Sequence, residues 1–327
     1  MSETTIILPV YNGAQFLKQS LESIVSQQYS NYEVLVCDDA SKDNSVDIIM
    51  EFTNLPHVKM IRNESNRGLF FTLNRLVDEA KTPRIRMWSQ DDVMLPDCLR
   101  VEDEFWKKHP EIGLCYSAYH SIGSDGQIER PAKTDHTPEI IEQWLADQIS
   151  VYHGCMTGNI ATTSFRRDAF YDVGAFRSES KYSGDFELNV RMAKKYLLGR
   201  QRVPVVQVRN HSGQLSRLSH SYINSVRESH EILNELLRRM PPEIAANAKF
   251  YRLRYHDVGV FHHFVRAVLQ RRFGIAKDVM SFLVKNSQPV RCMWWWFWSR
   301  NRRYFMPPTL YYSPKGNRYQ CICEDMN

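Results

Sequence analysis

The chain has 327 residues, with 42 Lys and Arg against 37 Asp and Glu, a formal net charge of +5, and 43% hydrophobic residues. These values are typical of a globular protein and exclude a chain that is disordered throughout, and the length suffices for one large domain or two ordinary ones. The charge excess is too small to indicate a nucleic-acid-binding protein, so we expect no nucleic acid among its partners.

The first part of the chain alternates strand and helix patterns. Apolar runs predict strands at residues 5–10, 34–37, 58–61, 85–88 and 113–120. Between them, apolar residues at helical spacing predict helices at residues 14–28, 45–52, 69–80 and 97–108. Such repeats predict an α/β fold with a Rossmann-like, doubly wound mixed sheet whose strands are mostly parallel.

The pattern becomes less regular after residue 120. We predict helices at 138–148 and 186–196 and a strand at 203–208. After about residue 219 the chain reads as almost wholly helical. We therefore expect a first domain at residues 1–219, made of parts 1–120 and 121–219, and a helical region at 220–327.

Two pairs of adjacent acids end predicted strands. Asp38 and Asp39 end the second strand, and Asp91 and Asp92 follow the fourth. Adjacent carboxylates repel each other and stay ionised together only with solvent, hydrogen-bond donors or a cation nearby. The carboxyl ends of parallel strands form the crevice in which α/β sheets bind ligands, and Mg²⁺ or Mn²⁺ shares carboxylate oxygens with substrate phosphates. The pairs therefore predict a metal-assisted site for a phosphorylated ligand.

Other candidate residues have two interpretations each. Pro9 and Tyr11 form either an ordinary strand end or a platform on which a nucleotide base stacks. Asp39 either caps a turn or accepts a hydrogen bond from a base or ribose. Asp185, in the first turn of a helix, either complements the helix dipole or acts as a general base. His211 is either a surface residue or part of a loop that closes over a pyrophosphate.

Taken together and in this order, the segments resemble family 2 glycosyltransferases of the GT-A fold, of the bacterial surface-polysaccharide type. The matching segments are 9–12, 21–28, 38–41, 66–68 with Asn74, 91–92, 166–167 with 173–176, 184–188 and 209–211. They extend over residues 4–217, and nothing after about residue 219 takes part. The resemblance implies that Pro9, Tyr11, Asn66 and Asp91 line the nucleotide site and that Asp39 binds the base.

The resemblance also implies a metal site and a catalytic base. Asp91, Asp92 and His211 would hold Mn²⁺ or Mg²⁺, and Asp185 would be the base. The family commonly has an additional Asp where this chain has Ser89, which obscures which of the two neighbouring acids binds the metal directly. From the sequence alone we favour Asp92 as the acid that binds the metal directly.

The implied reaction is an inverting single displacement from a nucleotide-diphosphate sugar, preferably a UDP-sugar, to a hydroxyl group of a glycan or lipid-linked saccharide. One alternative is a sugar nucleotidyltransferase. Such an enzyme normally has a glycine-rich basic loop after the first strand, whereas this chain has no basic residue there before Lys18. The other alternative is an inactive nucleotide-sugar or carbohydrate-binding protein. The presence of Asp91, Asp92 and Asp185 argues against it.

The C-terminal region contains an aromatic run, residues 293–298, followed by a basic stretch that ends in Arg302, Arg303 and Tyr304. Tryptophan beside arginine is typical of contact with an anionic membrane surface. The same pattern also fits a helix packed on the first domain or a homo-oligomer contact. The absence of a leader-like segment and the scattered cysteines predict a cytoplasmic protein, peripheral on the inner face of the membrane if the basic aromatic run binds lipid.

Overall fold

The computed structural model describes residues 2–132, 137–214, 219–302, 310–313 and 318–321. It comprises two compact units. The first contains Met1–Ala146 and Cys155–His211, and the second contains Asp147–Gly154 and Ser212–Asn327.

The first unit is built on a mixed sheet of ten strands. Its strands are β1 (Thr4–Val10), β2 (Tyr32–Asp38), β3 (Val58–Arg62), β4 (Arg84–Met87), β5 (Val93–Met94), β6 (Ile112–Ile122), β7 (Ile128–Arg130), β8 (Ile140–Ile141), β9 (Thr163–Arg166) and β10 (Leu197–Arg209). Their order is β3-β2-β1-β4-β9-β6-β10-β5, with β7 paired to β6 and β8 to β10. The strands β1 to β4 pair in parallel, as do β6 and β10, whereas β9 runs antiparallel to both of its neighbours. The predicted α/β class with a mixed sheet is confirmed.

The predicted helices occur in the predicted order, and one further short helix, at residues 167–172, was not predicted. They are α1 (Ala14–Val25), α2 (Ser45–Met50), α3 (Leu69–Glu79), α4 (Cys98–Lys108), α5 (Gln143–His153), α6 (Arg167–Asp172) and α7 (Gly184–Lys195). The prediction of a helix from residue 138 was wrong at its start, because 140 and 141 form β8 and the helix begins at Gln143. The strand predicted at 203–208 is longer and begins at Leu197.

Strand β1 lies at the centre of the parallel half and is buried along its whole length. Its side chains Ile6 and Leu8 pack in one cluster with Leu17 and Leu21 of α1. Pro9 is in register with Cys37 of β2, but strand alternation turns its nitrogen toward β4, because the carbonyl of Val10 bonds on the β2 side and that of Ile7 on the β4 side. The pairing of β1 with β4 ends at Ile7, so the ladder needs no N–H from residue 9. A proline is therefore tolerated where the central strand emerges from the sheet. This emergence sets the position of the loop that follows.

The second unit is helical over most of its described length. Its helices are α8 (Ser219–Arg239), α9 (Pro242–Arg252), a π-helical turn (Leu253–Asp257), α10 (Val258–Leu269), α11 (Phe273–Asn286) and α12 (Pro289–Arg302), followed by an antiparallel pair, β11 (Leu310–Ser313) and β12 (Arg318–Cys321). Val258, Val279, Leu283 and Cys292 are fully buried in its core. Within the described ranges, no helix has the length and apolar character required to span a membrane.

Candidate functional site

The loops that follow β1 and β2 are joined by side-chain hydrogen bonds. Asn12 adopts a left-handed backbone conformation with φ of 49°, and its N–H donates to Ser41 Oγ at 2.9 Å. Its side-chain oxygen accepts from the N–H of Lys42 at 2.8 Å, and the N–H of Gly13 donates to Ser45 Oγ at 2.9 Å. Tyr11, with 42% of its surface exposed, is held at the carboxyl edge of the sheet by these bonds.

Gln90, which the sequence analysis missed, braces the same loop from the end of β4. Its side-chain oxygen accepts from the N–H of Tyr11 at 2.9 Å, and its amide nitrogen donates to the carbonyl of Tyr11 at 3.2 Å. A Cβ atom at Gly13 would lie 2.5 Å from Gln90 Oε1, so the glycine leaves space for this brace. No sequence signal singles out Gln90, since a glutamine between Ser89 and Asp91 has no special spacing.

The first acidic pair organises neighbouring loops. Asp39 is 3% exposed, and its Oδ1 accepts from Asn63 Nδ2 at 2.6 Å and from the N–H of Arg67 at 2.8 Å. Its Oδ2 accepts from the N–H of Gly68 at 2.9 Å, and Asn66 is exposed in the same loop. A carboxylate offers about four acceptor positions, so Asp39 retains capacity for one more donor. Both interpretations of Asp39, as an organiser of a turn and as an acceptor for a ligand, fit this geometry.

The second pair divides into two different environments. Asp91 Oδ2 lies 2.9 Å from His211 Nε2, and both side chains are slightly exposed, 14% and 16%. Ser89, in the position where the family commonly has an acid, donates its hydroxyl to Asp91 Oδ1 at 2.6 Å. The structure thus brings together a residue after β4 and a residue after β10, which are 120 positions apart in sequence.

Asp92, by contrast, is completely buried. Its Oδ1 accepts from the N–H of Arg209 at 2.8 Å, and its Oδ2 has no hydrogen-bond partner among the described residues. Burial first, and then the neighbouring charge of Asp91, hold the pKa of Asp92 well above its usual value. The contacts of Asp92 are therefore directed into the protein.

Asp185 lies in the first turn of α7, in a small polar cluster. Its Oδ1 accepts from the N–H of Phe186 at 2.8 Å, and Cys155 Sγ is 3.9 Å from its Oδ2. Asn189, which is buried, donates to Cys155 Sγ at 3.3 Å and to Thr157 Oγ1 at 3.0 Å. Burial, followed by the charge of Asp185, raises the pKa of the Cys155 thiol to about 12, so the thiol stays protonated beside the carboxylate.

The other acid of this turn, Glu187, has a structural environment. Arg191 donates to both of its carboxylate oxygens at 2.6 to 2.9 Å, and Arg177 lies 3.2 Å from it. Arg191 also donates to the carbonyl of Ala175, which ties the helix to the preceding turn. The two acids that open α7 therefore differ in their contacts: Glu187 is held by two arginines, whereas Asp185 lies beside the thiol of Cys155.

Comparisons with known proteins identify the family of the chain. The model of the family described as glycosyl transferase family 2 matches residues 5–172. The Bacillus subtilis glycosyltransferase named EpsE is 33% identical over 228 residues, which cover 67% of this chain and 77% of EpsE. The Escherichia coli glucosyltransferase WfgD, named for transfer from UDP-Glc to α-D-GlcNAc-diphosphoundecaprenol, is 30% identical over 132 residues, 39% of this chain and 51% of WfgD.

Solved structures agree on the fold. TarS 1–349 of S. aureus superposes with a TM-score of 0.60 at 15% identity, over 98% of both chains. The same protein has been solved in complex with UDP and with UDP-GlcNAc. A longer TarS chain is matched over 43% of its length. The chain belongs to glycosyl transferase family 2, and its first unit has the GT-A fold of these enzymes.

Proposed function

We propose that this enzyme transfers a sugar from a nucleotide-diphosphate sugar, preferably a UDP-sugar, to a hydroxyl group of a glycan or lipid-linked saccharide, with inversion at the anomeric carbon. The contact between Asp91 and His211 at the carboxyl edge of the sheet is the observation that carries the proposal. TarS has been solved with UDP-GlcNAc, and WfgD is named for a UDP-sugar and a lipid-linked acceptor, which supports the choice of substrates.

The nucleotide would bind over the loops after β1, β2 and β3. Tyr11 offers an exposed ring for the base, and base–aromatic stacking contributes about 1–3 kcal/mol per base. Asp39 would accept one further hydrogen bond from the base, with Pro9 and Asn66 beside it. Gln90 would keep the Tyr11 backbone fixed, so that the ring meets the base without a loss of loop entropy on binding.

Asp91 and His211 fit a divalent cation, because they offer one carboxylate oxygen and one imidazole nitrogen in direct contact. Within the described ranges, no group of three or more His, Cys, Asp or Glu is arranged to hold a metal ion. Two protein ligands suit Mn²⁺ or Mg²⁺, which complete their shells with substrate phosphates and water. The geometry favours Asp91 over Asp92 as the direct ligand, the reverse of the preference drawn from sequence, because Asp92 is buried against Arg209.

The chemistry would then need one proton acceptor and one stabiliser of the leaving group. Asp185 would take the proton from the acceptor hydroxyl while that oxygen forms its bond to the anomeric carbon. The bond from that carbon to the diphosphate oxygen breaks at the same time, and the nucleoside diphosphate leaves with the electron pair. A bound cation would supply Lewis-acid stabilisation of the departing diphosphate, and His211 would donate a hydrogen bond to it.

The test is release of nucleoside diphosphate from a panel of UDP-, GDP- and dTDP-sugars with Mn²⁺ or Mg²⁺. Asp185→Asn should lower turnover by about 10²–10⁴-fold, the usual contribution of a general base, while the thermal midpoint and UDP binding stay unchanged. Glu187→Gln is the matched control from the same turn, and it should lower the thermal midpoint with little loss of turnover per folded molecule. Turnover of wild-type size in Asp185→Asn would remove Asp185 from its role.

The same assay separates the alternatives. A nucleotidyltransferase would release pyrophosphate from a nucleoside triphosphate and a sugar phosphate, rather than nucleoside diphosphate from the sugar nucleotide. An inactive binding protein would show a thermal shift with the ligand and release neither product. Release of nucleoside diphosphate that depends on an added acceptor is the result expected here.

We also propose that α12 contacts an anionic membrane surface, which would make the enzyme peripheral on the inner face of the membrane. Its exposed apolar residues share one helix face at three- and four-residue spacing: Val290, Met293, Trp294, Phe297 and Trp298. Trp295 and Trp296 pack instead against the core of their own unit. Between residues 261 and 303 there are nine Lys and Arg and one acid, although Arg303 and Tyr304 lie outside the described residues.

Vesicle sedimentation tests this contact. The protein should bind vesicles that contain phosphatidylglycerol and not vesicles of phosphatidylcholine alone, and Trp294→Ser with Phe297→Ser should abolish the binding. A concentration-dependent dimer in sedimentation velocity that the same double variant disrupts, without vesicle binding, would instead assign the face to a homo-oligomer.

A further inference from the structure

Arg209, the last residue of β10, is a buried arginine at the edge of the candidate site. It is only 1% exposed, so its charge is removed from water and must be compensated by hydrogen bonds. Its guanidinium donates through Nε to the carbonyl of Asp91 at 2.9 Å, through Nη1 to the carbonyl of Gly123 at 3.0 Å, and through Nη2 to Gln19 Oε1 at 2.6 Å. One side chain thus connects three segments of the first unit.

Two of the bonds made by Arg209 secure the loop that carries Asp91. The guanidinium holds the carbonyl group of Asp91 itself, and the backbone N–H of Arg209 donates to the side chain of Asp92 at 2.8 Å. The carbonyl group of Asp91 and the side chain of the next residue are therefore both fastened to the end of β10. Since His211 follows Arg209 by two residues, the same strand end fixes both members of the Asp91–His211 pair.

An aromatic contact completes the arrangement. The guanidinium carbon of Arg209 lies 4.6 Å from the centre of the Phe16 ring, and that ring lies 4.8 Å from the imidazole ring of His211. Gln19, one turn further along α1, accepts from Arg209. The imidazole is therefore placed against a ring that Arg209 itself helps to hold.

We propose that Arg209 is a positioning residue that presets the Asp91 carboxylate and the His211 imidazole for a divalent cation. The proposal rests on the metal site of the proposed function and deepens it. Lysine would keep the positive charge, but its ammonium group cannot make the three hydrogen bonds of the planar guanidinium to Asp91, Gly123 and Gln19. Partners behind metal ligands typically contribute 10- to 100-fold to metal affinity, which is the loss we expect for Arg209→Lys.

The experiment compares Arg209→Lys with Arg86→Lys in the full chain. Arg86 is also fully buried, donates to the carbonyl of Ala161 at 2.6 Å and pairs with Glu102, away from the residues of the pair. Free Mn²⁺ is measured by electron paramagnetic resonance, and the thermal midpoint is measured beside it. We expect both variants to lower the midpoint, but only Arg209→Lys to weaken Mn²⁺ binding by 10- to 100-fold.

Phe16→Leu is a second variant, which keeps an apolar side chain and the hydrogen bonds of Arg209 while removing the ring beside His211. It should also weaken Mn²⁺ binding, and it tests the idea if Arg209→Lys does not fold. Mn²⁺ affinity of wild-type size in the folded Arg209→Lys and Phe16→Leu variants, or equal losses in Arg209→Lys and Arg86→Lys, would overturn the proposal. Asp91→Asn distinguishes an error in the metal site from an error in the role of Arg209. If Asp91→Asn binds Mn²⁺ with wild-type affinity, the proposed metal site is wrong. If Asp91→Asn loses Mn²⁺ binding while Arg209→Lys retains it, only the role of Arg209 is wrong.

Discussion

The substitution Asp39→Asn should destabilise the first unit as well as weaken nucleotide binding. The Asp39 carboxylate accepts three N–H groups, two on Oδ1 and one on Oδ2. An asparagine amide keeps one acceptor oxygen and turns an NH₂ group toward at least one of these donors. A hydrogen bond to a charged group contributes about 1.5–3 kcal/mol, and a buried donor left unpaired costs about 1–3 kcal/mol. The expected loss is therefore about 3 kcal/mol.

For a unit of roughly 200 residues, that loss lowers the thermal midpoint by about 6–12 °C. The midpoint is measured by circular dichroism, and UDP binding by isothermal titration on the folded variant. Asp97→Asn is the matched control, because the Asp97 side chain is 53% exposed and its only described side-chain partner is the exposed Arg100, at 3.1 Å. We expect this substitution to change the free energy of unfolding by less than about 0.5 kcal/mol. If Asp39→Asn loses UDP affinity while its midpoint stays within about 2 °C of wild type, then Asp39 serves the ligand alone and the reasoning from its three donors fails.

Two further predictions concern the brace at Gln90 and a histidine of the helical unit. An added Cβ at Gly13 would lie 2.5 Å from Gln90 Oε1, the end of a flexible side chain, so Gly13→Ala should displace the Gln90 side chain without unfolding the protein. Gly13→Ala and Gln90→Ala should therefore raise the KM for the donor to the same extent. If the effects of the two substitutions add in the double variant, they do not act through the same contact. Burial, and then Arg252, lower the pKa of His230 from 6.5 to about 4, so that the unfolded chain takes up a proton in this interval that the folded unit does not. The free energy of unfolding should therefore fall as the pH falls from 6.5 to 4. The thermal midpoint of His230→Gln should depend less on pH over this interval than that of the wild type. An equal pH dependence in the two proteins would refute the role of His230.

Much of the fold was predictable because the parallel strands are short, apolar and separated by turns. The order of β1, β2, β3, β4 and β6 follows directly from these patterns, whereas the two-residue strand β5 was not predicted. The antiparallel insertion of β9 was not predicted, because Thr163–Arg166 contains four residues with little apolar alternation. Its partners, β4 and β6, determine the pairing, and pairing between distant strands leaves no local pattern. The π-helical turn at Leu253–Asp257 was likewise not predicted, because it lies within the region that the sequence pattern indicates is almost wholly helical.

The candidate site was predictable in its residue types and less so in their division of work. Acids at strand ends predict the edge of the sheet where the site lies, and Asp91 and Asp92 were both predicted to lie at that edge. Which carboxylate faces the ligand depends on the direction of each side chain, and that direction is set by partners far away in sequence. The N–H of Arg209 donates to Asp92, and His211 contacts Asp91. The surroundings of these two neighbouring acids are therefore set by a strand that begins more than a hundred residues later in the sequence.

Ser89 illustrates the same dependence from the other side. Its hydroxyl donates to Asp91 at 2.6 Å, so the residue that departs from the family pattern still contacts the acid that it precedes. An Asp at this position would add a second negative charge beside Asp91 and make the site more dependent on a cation. A serine leaves Asp91 with a neutral donor and a histidine as its described partners. The contact between Asp91 and His211 therefore carries more of the arrangement in this chain, and the junction at Arg209 has a correspondingly larger part in keeping that pair together.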